Sequence, residues 1–256
     1  MNDLTAHFIL RKSAGKPVIA LTAYDYPSAR IIDETGVVDL ILVGDSLGMM
    51  VLGHPDTTQV SLGDMLHHTR AAASGVSTAV LASDLPLGTY DTPDKALANA
   101  QLLVEAGARA VKLEGGAEMA ACIAAVVQQG IPVLAHIGML PQHIKEEGGY
   151  RIKGRTEEQA GQLLADALAV ESAGAFAVVL ELVTPPLSRK ISEELKIPTI
   201  GIGSGEGCDG QIRVLHDVIG LFPWFRPKFA QPEADAAALI RDAVGRFADS
   251  VRNEKA

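Results

Sequence analysis

Short apolar runs in this chain keep ending in a residue that can carry charge or move a proton: Asp45, Asp84, Glu114, His136 and Glu181. A carboxylate at the end of a buried strand is costly unless it finds a cation or hydrogen-bond donors. Any one of these acids could serve as an ordinary helix cap. Four of five consecutive runs ending in an acid are less easily explained that way. Convergent carboxylates repel one another unless a cation lies among them, and an all-oxygen set suits a hard ion such as Mg2+. There is no Cys-x-x-Cys and no His-x-x-x-His, so a zinc site is not expected. Lys112 stands two residues before Glu114, and alternation along a strand points both side chains the same way, into the interior. An ammonium there needs a counter-charge, supplied either by the acids or by an anionic substrate. His136, followed by Ile137-Gly138, reads as a substrate contact, with a satisfied core histidine as the alternative.

Residues 18–22, 40–43, 78–83, 108–113, 132–135, 176–180 and 198–202 have the apolar character of buried strands, and 212–219 holds the expected eighth. Helices are expected over 5–13, 27–35, 61–74 and 234–252. Another follows the cap Thr92-Pro93-Asp94, with Ala96, Leu97, Ala100, Leu103 and Val104 on its apolar face, and a further one runs to Gln129. A capping box, Thr156 to Gln159, opens a helix with Leu163, Leu164, Ala167 and Leu168 inward. Glycines (Gly36, Gly75, Gly107, Gly130, Gly174) close the helices. Strict alternation of strand and helix implies a parallel sheet with right-handed crossovers, and eight units imply closure into an α/β (β/α)8 TIM barrel.

The chain is 256 residues long and 48% hydrophobic, enough for a single barrel domain over 1–256. No apolar run reaches membrane-span length, so no membrane partner is expected. The N-terminus makes a poor signal peptide, which points to the cytoplasm. A net charge of −9 with 4% aromatic residues argues against nucleic acid as a partner. Cys122 and Cys208 are expected as free thiols. Gly201-Ile-Gly203-Ser-Gly205 lacks the spacing of a nucleotide fingerprint and reads as close backbone packing. Lys145, Arg151, Lys153 and Arg155 form either a solvated face or a patch that steers an anionic co-substrate.

Several segments together resemble the ketopantoate hydroxymethyltransferase family. They are Leu21-Thr-Ala-Tyr-Asp25, Val43-Gly-Asp-Ser-Leu-Gly-Met49, Asp84-Leu-Pro, Lys112-Leu-Glu114-Gly-Gly, Ala135-His-Ile-Gly138 and Asp209-Gly-Gln211. Gly148-Gly-Tyr150 and Pro227-Lys-Phe229 are further marks of the same family. The resemblance implies a TIM barrel of the phosphoenolpyruvate/pyruvate type. It also implies Mg2+-dependent transfer of a one-carbon unit from 5,10-methylenetetrahydrofolate, a reduced folate, to the branched 2-oxoacid 3-methyl-2-oxobutanoate. By that resemblance Asp45, Asp84 and Glu114 hold the metal, Asp45, Ser46, Asp84 and Lys112 bind the ketoacid, and Glu181 is the general base. It further implies a large homo-oligomer, commonly a decamer. Leu140, His143, Leu182 and Arg213 depart from the family pattern in loops at the barrel mouth, where they bear on folate affinity and ketoacid specificity. Two other readings are a Mg2+-dependent lyase or mutase acting on a 2-oxoacid and a non-catalytic oxoacid-binding paralogue. The first normally carries a Lys-Lys-Cys-Gly-His loop, absent here, and the second should have lost one of the residues above.

Overall fold

The structure is a computed structural model that describes residues 3–253. Eight parallel strands close on themselves in sequence order. The chain runs through α1 (Asp3–Ser13), β1 (Val18–Thr22), α2 (Tyr26–Glu34), β2 (Leu40–Val43), the short α3 (Leu47–Met50), α4 (Leu62–Ala73), β3 (Val80–Asp84) and α5 (Pro93–Glu105). It continues with β4 (Ala110–Glu114), α6 (Ala120–Gln128), β5 (Val133–Gly138), α7 (Ile144–Glu147), α8 (Glu157–Ser172), β6 (Ala177–Glu181), α9 (Pro185–Glu194), β7 (Thr199–Ile202) and β8 (Gly210–Arg213). The described residues form two compact units, one ending at Ile212 and the other beginning at Arg213; the second contains α10 (Leu215–Val218) and α11 (Ala236–Asn253).

Strands β2, β3, β4 and β6 are buried along their whole length, as parallel strands covered on both faces must be. The inward rows of β3, β4, β5 and β6 change character along the strand. Val80 and Ala82 lead to Asp84, Ala110 to Lys112 and Glu114, Leu134 to His136, and Ala177 and Val179 to Glu181. The barrel is therefore apolar where its strands begin and charged where they end. Phe8 of α1 is fully buried in the apolar half and meets Phe176 edge-on at 5.0 Å. Arg11 pairs with Asp39 at 2.8 Å and Lys12 with Asp209 at 3.0 Å, tying α1 to the starts of the strands.

Capping residues fix where helices begin. Asp25 accepts from Ser28 N at 2.8 Å, and Ser61 with Asp64 forms a reciprocal capping box on α4. Thr156 does cap α8, but the Gln159 side chain accepts from Arg155 N instead, so the box expected there is half formed. Two other expectations need correction. The eighth strand is Gly210–Arg213, and the apolar run after it coils into α10. Helix α9 was not anticipated, although Pro185 and Pro186 are good first-turn residues. Among the described residues no helix is long and apolar enough to cross a membrane. Both cysteines are free thiols.

Candidate active site

Every acid or base picked out at a strand end lies at the charged end of the barrel. The pairing register sets Asp84 beside Lys112, Glu114 beside His136 and Gly138 beside Glu181. Asp45 and Ser46 follow β2 directly. Gly138 allows the β5–β6 approach: it has a φ of 100°, and a Cβ there would lie 2.4 Å from the Glu181 carbonyl oxygen. Leu182, next to Glu181, holds a φ of 49° without being glycine, a conformation that costs of order 1 kcal/mol and turns the chain away as the strand ends.

Asp45, Asp84, Lys112, Glu114, His136 and Glu181 are all buried. Lys112 Nζ donates to Asp84 Oδ1 at 2.5 Å and lies 3.6 Å from Glu114 Oε1. The His136 ring stands between two carboxylates, with Nδ1 3.2 Å from Glu114 Oε1 and Nε2 3.3 Å from Glu181 Oε2. Neither approach completes a hydrogen bond of good geometry. Ser46 is half-buried, and its Oγ shares a 2.8 Å hydrogen bond with the Tyr24 hydroxyl.

The electrostatics follow from that crowding. Burial pushes the Asp45 carboxyl well above the ordinary carboxylate range, and the charges of Asp84 and Glu114 add to the shift. Asp84 is raised by burial too, against the opposing pull of Lys112 and the Asp45 N–H. For Glu114 burial acts upward, but His136 and Lys112 outweigh it and hold the carboxyl low. Burial would discharge Lys112; Asp84, Glu114 and Asp45 reverse this and keep it an ammonium. Burial and Lys112 also oppose a charge on His136, yet Glu114 and Glu181 push its pKa up to about 9.

Four carboxylates thus face two cationic side chains, and a divalent cation would relieve the excess. Glu114 Oε1 is buried without a completed hydrogen bond, with His136 Nδ1 at 3.2 Å and Lys112 Nζ at 3.6 Å as its neighbours, so its lone pairs are under-used. Among the described residues no three acid, histidine or cysteine side chains already close into a metal cage. Mg2+ keeps several waters and binds through few carboxylates plus substrate oxygens, so it would not require such a cage. The residues present therefore fit such an ion.

Two buried residues at the site had not been anticipated, Gln142 and Tyr90. Gln142 sits in a 3-10 turn after β5, and its Nε2 donates to Asp45 Oδ2 at 2.8 Å. The Tyr90 hydroxyl donates to Gln142 Oε1 at 2.5 Å. Pro141 marked the turn, but no sequence signal marked the contact. Of the basic cluster, Lys145 donates to Thr58 Oγ1 at 2.8 Å, Lys153 pairs with Glu147, and Arg151 and Arg155 are exposed. Gly201 to Gly205 is packing: Ser204 is fully buried, donates to Leu180 O at 2.7 Å and accepts from Val183 N at 3.0 Å.

A closed parallel barrel with its acids, lysine and imidazole gathered at the strand C-termini defines a TIM-barrel enzyme. Solved structures share the fold. A phosphonopyruvate hydrolase in complex with oxalate and Mg2+ superposes with a TM-score of 0.62 at 16% identity, covering 99% of this chain and 88% of that one. A 2,3-dimethylmalate lyase of the PEP mutase/isocitrate lyase superfamily gives a TM-score of 0.62 at 17% identity, covering 96% of this chain and 88% of that one, a likeness of fold. The family model described as ketopantoate hydroxymethyltransferase matches residues 4–255. The 3-methyl-2-oxobutanoate hydroxymethyltransferase of Ignicoccus hospitalis is 49% identical over 255 residues, 99% of this chain and 96% of the relative. That of Chloroflexus aurantiacus is 52% identical over 243 residues, 94% and 86% of the two chains. The chain belongs to the ketopantoate hydroxymethyltransferase family.

Proposed function

We propose that this chain transfers a hydroxymethyl group from 5,10-methylenetetrahydrofolate to 3-methyl-2-oxobutanoate, giving 2-dehydropantoate, through an enolate of the ketoacid. The observation that carries this reading is the placement of Glu181 and His136 beside the cluster of Asp45, Asp84, Lys112 and Glu114, in a chain half identical to enzymes of that name. Asp45, Asp84 and Glu114 would hold Mg2+. When bound, the ion supplies Lewis-acid stabilisation for negative charge developing on the keto oxygen. Ser46 and Lys112 bind the ketoacid, with the ammonium matching its carboxylate. Glu181 takes the C3 proton at a carboxylate oxygen. His136, with Nε2 3.3 Å from Glu181 Oε2, would balance the charge of the base beside the ketoacid. Water cleaves the two C–N bonds of the folate methylene, releasing tetrahydrofolate and the one-carbon unit at the formaldehyde level; C3 adds to that carbonyl carbon, and the resulting alkoxide takes the proton that Glu181 removed.

Proton NMR of the ketoacid in D2O with protein and Mg2+ tests the reading. The C3 proton signal should fade, and a hydroxymethyl resonance should appear only when the folate donor is added. Glu181→Gln should keep Mg2+-dependent thermal stabilisation by the ketoacid while losing the exchange. A C3 signal that persists in the unaltered protein would overturn the proposal. We further propose that the protein works in the cytoplasm, where its two free thiols persist, as a homo-oligomer, a decamer being the family's common form. Ile240, Val244, Phe247 and Val251 form an exposed apolar stripe at helical spacing along α11, which supports assembly. Sedimentation at monomer mass would count against it.

A further inference from the structure

Gln142 has no part in the reaction proposed above, yet its side chain and its backbone each hold one of the carboxylates. Nε2 donates to Asp45 Oδ2 at 2.8 Å and to Leu85 O at 3.0 Å, while the Gln142 N–H donates to Glu114 Oε2 at 3.1 Å. The Tyr90 hydroxyl closes the set on Gln142 Oε1. A carboxamide has a donor end and an acceptor end. Here a carboxylate and a carbonyl face one end and a hydroxyl faces the other, so only one orientation of the amide satisfies all three. Asp45 follows β2 and Glu114 ends β4, two strands separated by β3. Gln142 reaches both from the turn after β5, and Tyr90 braces it from the connection between β3 and α5.

We infer that Gln142, braced by Tyr90, is a positioning residue that presets the cation site. It commits one oxygen of Asp45 and one of Glu114 to N–H donors, so that the ion would meet the other oxygen of each, that of Glu114 standing 3.2 Å from His136 Nδ1. The inference rests on the reading of Asp45 and Glu114 as cation ligands. It also makes the site's geometry depend on the connection after β5 being in place.

Mn2+ titrated into the full-length protein without substrate, with free ion read by its paramagnetic resonance signal, tests this without reference to turnover. Gln142→Leu should weaken binding about tenfold or more, the usual effect of losing a group that orients a ligand. Tyr90→Phe removes one hydroxyl with little change of shape and should weaken binding by a smaller factor. Melting temperatures of the metal-free proteins run alongside, and Tyr90→Phe decides the matter if Gln142→Leu does not fold. A lower metal-free melting temperature with unchanged Mn2+ affinity would make both residues merely structural and overturn the inference. An unaltered protein that takes up no Mn2+ would overturn the ligand reading beneath it, and the inference with it.

Discussion

Lys112 is a buried ammonium paired with Asp84 at 2.5 Å, and its charge is held by three carboxylates that outweigh the cost of burial. Lys112→Met keeps the length of the side chain and deletes the charge. Asp84 then lies buried with no counter-ion, so stability of the metal-free protein should fall by about 3 kcal/mol, measured by urea denaturation. An unchanged urea midpoint would show that the pair contributes nothing net. The acids are legible in the sequence because each closes an apolar run, where a charge has no cheap structural explanation, and Lys112 because strand alternation sets it on the same face as Glu114. Gln142 and Tyr90 were not legible. Both lie in connections without periodicity, and their partners come from distant connections that only the closed barrel brings together.

At the scale of elements, Asp33 in the last turn of α2 joins that helix to the start of β3. It accepts from Ser77 N at 2.9 Å, Thr78 Oγ1 at 2.8 Å and Ala79 N at 2.7 Å. Burial acts to raise its pKa, but these backbone and hydroxyl donors prevail and hold it well below the ordinary range. A depressed folded pKa contributes stability that is complete above the unfolded value of about 3.9 and fades as pH falls below it. Asp33→Asn should therefore cost about 2 kcal/mol near neutral pH. The gap in urea midpoint between the two proteins should hold steady above about pH 4 and narrow as pH drops from about 4 to about 2; a constant gap would count against the carboxylate's role. Strands bounded by glycine and a terminal acid were read to within about two residues, the ordinary uncertainty of element ends. Helix α9 was hidden because its buried face includes Ser188 and Ser192, which read as surface. The eighth strand was misplaced because only Gly210 and Ile212 of its four residues are buried, while the longer apolar stretch beyond it is helical.

For the whole molecule, the barrel separates stability from chemistry along its axis. Phe8 fills the apolar end, far along the strands from the acids. Phe8→Ala should lower stability by about 3–5 kcal/mol while leaving C3 proton exchange per folded molecule unchanged. A matching fall in exchange would show that the two ends are coupled. Closure itself joins distant parts of the chain: Val18 N donates to Asp209 O at 3.0 Å, where the first strand meets the approach to the last. During synthesis, the flank of β1 has no partner until nearly the whole barrel sequence has left the ribosome. The growing chain carries two open sheet edges for most of that time, each a template for pairing with another nascent chain. Slowing translation late in the message would lengthen that exposure, whereas a pause before β2 emerges would add none.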